Sequence, residues 1–110
     1  MVKYEIKYTS DAVDDLDGIF SYISESNQAA AAKMLTRLEK AILNLSDNPR
    51  MGSVLPQSDF AFISPGYRKI VVQPYIVFYR VGEHEVYISR ILHSKQNWLQ
   101  LVFNSNFEEA

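Results

Sequence analysis

Between Tyr67 and Trp98 the sequence runs YRKIVVQPYIVFYRVGEHEVYISRILHSKQNW, three apolar runs split only by Gln73-Pro74 and by Gly82-Glu83. Short runs rich in Val, Ile, Tyr and Phe and bounded by turn residues form strands. Proline fixes φ and suits a turn position, and glycine followed by polar residues marks a second turn. The pattern predicts an antiparallel meander over about residues 68–73, 75–81 and 85–93. It carries Arg68, Lys69, Arg80, Arg90, His93 and Lys95, so candidate chemistry concentrates on this sheet.

What precedes the meander must cover it. Val2, Tyr4, Ile6 and Tyr8 alternate with Lys3, Glu5 and Lys7, a period of two that predicts a half-buried strand over residues 2–8. Thr9-Ser10-Asp11 are N-cap types, and Val13, Leu16, Ile19/Phe20 and Ile23 recur at helical spacing, predicting a helix that ends near residues 24–26. Asp11, Asp14 and Asp15 sit near the positive end of its dipole. That role suits them better than a metal site, since no His or Glu joins them at ligand spacing. Asn27 caps a second helix whose stripe is Met34/Leu35, Leu38, Ala41/Ile42 and Leu45, stopped by Asn48-Pro49. Two helices so closely joined form a hairpin, and the sheet is the large apolar surface available to it.

Residues 50–66 read as a loop with Gly52, Pro56, Pro65 and Gly66, pinned by Phe60, Phe62 and Ile63. Ser94 caps a short C-terminal helix over residues 94–103 that carries Trp98, Leu101 and Val102 on one side. Residues 1–103 then form a single domain and residues 104–110 a tail. The order strand, helix, helix, three strands is α+β: a helical hairpin on one face of a small, mainly antiparallel sheet. The other face and the sheet edges are expected to stay partly open to a partner.

The 110 residues have ordinary globular proportions, 47% hydrophobic and 22% charged. With no cysteine there is no disulfide scaffold or thiolate metal site, and a reducing cytoplasm suits the chain. No signal peptide and no run of membrane-spanning length is visible. The net charge of −2 hides an asymmetry. Residues 1–48 hold five Lys and Arg against eight Asp and Glu; residues 49–107 hold six against three. Either the sheet half offers a mildly basic face to an anionic partner, or these are scattered solvated charges.

Taken together, these residues resemble the RelE/ParE superfamily of bacterial toxins. The resemblance is carried by residues 4–12 with Leu16, Ile19, Tyr22 and Ile23, and by Ala32, Leu38, Ile42 and Leu45 with the exit Asn48-Pro49-Arg50-Met51-Gly52. It continues through Tyr67-Arg68-Lys69-Ile70, residues 75–81 and Ile91-Leu92-His93-Ser94-Lys95-Gln96-Asn97-Trp98. It implies a β-α-α-β-β-β fold and a cytoplasmic toxin of a type II toxin–antitoxin module, held inactive by a cognate antitoxin. Operator DNA would be met only through that antitoxin. No cofactor and no metal are implied.

Two target classes follow from the resemblance. RelE-like members cleave mRNA on the ribosome, and ParE-like members poison DNA gyrase. RNA cleavage needs a base, an acid and cations that stabilise a charged phosphorane. Arg68, Arg90 and His93 would be the catalytic set of such a metal-independent endoribonuclease. Against it, Ser94 follows His93 where some RNA-cleaving members carry tyrosine, Asp59 is the only acid between Asp47 and Glu83, and the pI is near 5.6. The His-Ser-Lys-Gln-Asn-Trp ending is nearer the ParE branch. On that branch Arg68, Lys69, Arg80, Arg90, Lys95 and Trp98 form a target-binding face without hydrolytic chemistry. A third expectation is a degenerate member that only binds antitoxin. His93 as a hydrogen-bonded structural residue and Arg68, Arg80 and Arg90 as plain surface positions are the structural alternatives; a tight turn would place Arg68 and Arg80 nearly opposite each other.

Overall fold

The computed structural model describes residues 3–55 and 66–95. Seven elements follow one another: β1 (Glu5–Tyr8), α1 (Ser10–Ser24), α2 (Gln28–Asn44), β2 (Ser53–Val54), β3 (Arg68–Val72), β4 (Tyr75–Val81) and β5 (Glu85–His93). The strands make one sheet in the order β1-β5-β4-β3-β2. β1 runs parallel to β5 and every other pair is antiparallel. The α+β architecture and the meander are as the sequence predicts.

The helix starts are set by side chains. Thr9 is extended (φ −73°, ψ 163°) and its Oγ1 accepts from the Ala12 N–H at 3.1 Å. Asn27 Oδ1 accepts from the Ala30 N–H at 3.0 Å. Each satisfies one of the donors a helix start leaves without an intrahelical partner. The α2 stripe of Met34, Leu38, Ile42 and Leu45 is buried against Val72, Tyr75, Val77, Tyr79, Val86, Ile88 and Ile91 of the sheet.

Several expectations are corrected. β1 begins at Glu5 rather than residue 2, since Glu5 N–H bonds His84 and Tyr4 N–H instead bonds the Ser46 carbonyl at the end of α2. The buried side of α1 is Ala12 and Ile19, with Leu16 and Ile23 partly buried; Val13 and Phe20 are exposed. The buried row thus runs through Ala12, Leu16, Ile19 and Ile23, and only Val13 and Phe20 of the predicted stripe turn outward. Residues 50–66 are not all loop, because Ser53–Val54 pairs with Lys69 and Arg68 as an edge strand. β3 stops at Val72, one residue before the expected end. The sheet face away from the core cluster is closed at its centre, with Ile76, Phe78 and Leu92 buried, while Val54 and Val71 at the β2–β3 edge are exposed. Phe60, Phe62, Ile63, Trp98, the expected C-terminal helix and the tail lie outside the described residues.

One irregularity positions the site. Phe78 faces Arg90 across the β4–β5 pair but Tyr79 faces Ile88, so Ser89 is an extra residue, a β-bulge. β1 covers β5 only as far as Ile88. Beyond it the edge groups of β5 are taken by Thr9 and α1. Thr9 N–H donates to the Ile88 carbonyl at 3.1 Å and Thr9 Oγ1 to the Ser89 carbonyl at 2.9 Å. Asp15 Oδ2 accepts from the Ile91 N–H at 2.9 Å. A bare sheet edge is thereby finished by a helix instead of a strand.

Candidate functional site

The basic residues of the meander divide into separate local environments. Arg90 follows the bulge and reaches α1, its Nε and Nη2 donating to Asp15 Oδ2 at 2.7 Å and Oδ1 at 2.8 Å. The two side chains are only 17% and 12% exposed. This forked pairing holds the Arg90 guanidinium above its ordinary pKa, chiefly through the hydrogen bonds to Asp15, with burial opposing. The aspartate cluster is therefore not a uniform dipole feature: Asp15 is a fixed structural partner.

Arg68 points to the other flank. Its Nη1 donates to the carbonyls of Arg50 at 3.1 Å and Gly52 at 2.7 Å, tying the segment after α2 to the sheet. Beside it the Tyr79 hydroxyl accepts from the Gly52 N–H at 2.9 Å. Burial pushes the Tyr79 phenol up, partly offset by that bond and by the Arg68 charge. A Cβ on Gly52 would lie 2.5 Å from the Lys69 carbonyl oxygen and 2.6 Å from the Tyr79 hydroxyl, so only glycine fits here.

Arg80 lies over two rings, its guanidinium carbon 5.5 Å from the centroid of Tyr67 and 6.0 Å from that of Tyr87. Its Nε is buried without a hydrogen-bond partner. Arg80 faces Tyr87, and Arg68 faces Tyr79, so the two arginines do not oppose each other. Lys69 faces Phe78, and Lys95 follows β5 in an exposed position. His93 packs edge-on against Tyr75 with ring centroids 5.4 Å apart, and its Nδ1 accepts from the Lys95 N–H at 3.1 Å.

Register decides which of these can meet. Arg68 faces Tyr79 and His93 faces Tyr75, on opposite sides of β4. At roughly 3.3 Å per residue and 4.8 Å per strand their Cα atoms are about 16 Å apart. Arg90 and His93 do line one cavity, of about 540 Å³, between α1 and the second half of β5, together with Asp14, Asp15, Gly18, Tyr22 and Tyr75. The sheet thus brings Arg90 and His93 together and leaves Arg68 with the Gly52 turn. Asp15, Gly52 and Tyr79 are the residues sequence reasoning passed over.

The fold and the finished β5 edge define a class, the RelE/ParE-type toxin fold. The chain superposes on a chain of the chromosomal ParDE system of P. aeruginosa with a TM-score of 0.66, at 24% identity over 83% of this chain and 96% of that one. A chain of the toxin–antitoxin complex RelBE2 of Mycobacterium tuberculosis gives 0.55, at 26% identity, covering 84% and 93%. Residues 6–98 match the family described as the ParE toxin of type II toxin–antitoxin systems. Toxin ParE3 of Caulobacter vibrioides is 36% identical over 84 residues, 76% of this chain and 79% of that protein. Toxin RelE2 of the same organism is 30% identical over 90 residues, 82% and 94%. The chain belongs to the ParE toxin family of type II toxin–antitoxin systems.

Proposed function

We propose that this toxin acts in the manner of the ParE branch, by binding DNA gyrase without hydrolytic chemistry, and that a cognate antitoxin neutralises it. The observation that carries this reading is the dispersal of the cations RNA cleavage would need. Arg68 is tied to two backbone carbonyls, Arg90 to Asp15, and His93 lies about 16 Å from Arg68. Among the described residues a phosphorane would find Arg68 apart from the Arg90 and His93 pair. In this reading Arg68, Lys69, Arg80, Arg90, Lys95 and Trp98 contribute binding, and operator DNA is reached only through the antitoxin. A toxin with these two partners would act in the cytoplasm. Among the described residues no helix is long and apolar enough to cross a membrane.

A second reading is favoured by one observation, the similarity to a protein named RelE2. In that case Arg90 and His93, which share a cavity, would act with Arg68 in ribosome-dependent mRNA cleavage. Brief induction in cells separates the two. Trapped gyrase–DNA cleavage complexes with intact mRNA are expected. New mRNA ends that depend on translation, lost in His93→Ala, would replace the gyrase reading. Continued growth with neither signal would leave only antitoxin binding.

A further inference from the structure

Apart from Arg90, the cavity between α1 and β5 is lined by residues that the gyrase reading does not use. On α1, Asp14, Gly18 and Tyr22 recur every fourth residue and form one row facing the opening. Across from them stand Tyr75 and His93. Tyr22 is 74% exposed and stands at the rim, whereas Tyr75 is 6% exposed and forms a wall. The two phenols are close enough that Tyr22 adds to the upward shift that burial gives Tyr75.

Two carboxylates and the Arg90 guanidinium line the cavity, beside the His93 imidazole. Arg90 is neutralised by Asp15 through two hydrogen bonds. The other carboxylate, Asp14, is exposed and has no ion pair among the described residues. The carboxylates therefore outnumber the guanidinium by one beside aromatic walls, a combination that favours a cation over an anion.

Gly18 is the second, independent observation. Glycine in a helix interior is less stable than alanine by roughly 0.5–1 kcal/mol. Packing does not require it, since a Cβ at this position would meet nothing within 4 Å. What the missing side chain does is leave the space between Asp14 and Tyr22 open.

We propose that this cavity is an anchor pocket for an arginine or lysine side chain of a partner polypeptide. The aliphatic stem lies along Ile19 and the Gly18 opening, the cationic head meets the faces of Tyr22 and Tyr75, and Asp14 closes the charge. Long basic side chains bind in this divided way because the stem is apolar and the head is not. The assignment is compatible with gyrase binding and not with the ribonuclease reading, which would bring RNA phosphate to Arg90 and His93 in this same cavity.

The test is a titration of the full chain, followed by NMR, with N-acetyl-arginine amide, its norleucine counterpart and its glutamate counterpart as probes. Saturable shifts at Gly18, Tyr22, Tyr75 and Ile91 are expected with the arginine probe at millimolar concentration, with norleucine at least about 5-fold weaker and glutamate inert. Asp14→Asn should weaken the arginine probe by about 3- to 10-fold without changing the thermal midpoint by more than a degree or two. Gly18→Leu should remove binding while the midpoint stays level or rises. Equal response to norleucine, preference for glutamate, or unchanged binding in both variants would overturn the assignment. Should Gly18→Leu fail to fold, Asp14→Asn decides, because Asp14 is an exposed side chain with no ion pair among the described residues.

Discussion

Replacing Asp15 with alanine separates two accounts of the acidic start of α1. If the aspartates only complement the helix dipole, each contributes about 0.3–1 kcal/mol, and Asp14 and Asp15 are equivalent. In the structure Asp15 accepts three hydrogen bonds, two from Arg90 and one from the Ile91 N–H. At 17% and 12% exposure the ion pair is too buried for solvent screening to reduce it to a surface pair. Removing one partner of a buried pair costs about 3–5 kcal/mol, because the remaining charge is left uncompensated. The orphaned Ile91 N–H adds about 1–3 kcal/mol. A domain of this size has about 5–15 kcal/mol in total. Asp15→Ala should therefore stay folded only marginally, or not at all.

Urea unfolding followed by circular dichroism measures this. With a slope of about 1.5 kcal/mol per molar, a loss of 3 kcal/mol lowers the midpoint by about 2 M. Asp14→Ala, one residue earlier and exposed, should lower it by about 0.5 M or less. The double variant Asp15→Leu/Arg90→Met should be more stable than Asp15→Ala alone, since it removes both charges together. Midpoints for Asp14→Ala and Asp15→Ala that agree within 0.3 M would refute the reasoning.

Two further outcomes follow from the same contacts. Gly52→Ala should destabilise by about 2–3 kcal/mol, because its Cβ would meet backbone oxygen at 2.5 Å and break the Tyr79 bond; a midpoint equal to the parent's would show the turn is free to move. Burial raises the phenols of Tyr8, Tyr75 and Tyr79 above their ordinary pKa of 10.0. The folded state then holds protons that the unfolded state has released, so stability is full below pH 10 and falls as pH rises through the raised values, by up to about 1.4 kcal/mol per pH unit for each group. Ultraviolet titration should find these three ionising above pH 10, and a stability flat from pH 9 to 11.5 would contradict it.

The fold was legible where local chemistry repeats a known device. Asn27 caps the helix it was expected to cap, Thr9 is the one of three candidate residues that caps α1, and Gln73-Pro74 and Gly82 place the meander turns within a residue. β2 was not legible, because two residues offer no alternation to read. Asp15 was hidden by its neighbours. Three aspartates near a helix start invite a single explanation, yet only Asp15 lies three residues from Ala12 and four from Ile19, the buried row. Counting Ala12 as part of the apolar face would have placed a carboxylate on that row, where it must find a partner. Larger side chains drew the stripe toward Val13 and Phe20 instead.

The bulge at Ser89 links these features. An extended β1 pairing past Ile88 would leave α1 no edge to bind, and a β5 without the extra residue would change how Arg90 meets α1. The helix closes the edge through Thr9 and Asp15, and its next turns carry Gly18 and Tyr22 along the cavity beside the end of β5. A strand in that place would have covered β5 to its end and left no cavity. The same substitution of helix for strand fixes Arg90 against Asp15 and takes it out of any set with Arg68. Locking the edge and opening the pocket are then two consequences of where β1 stops.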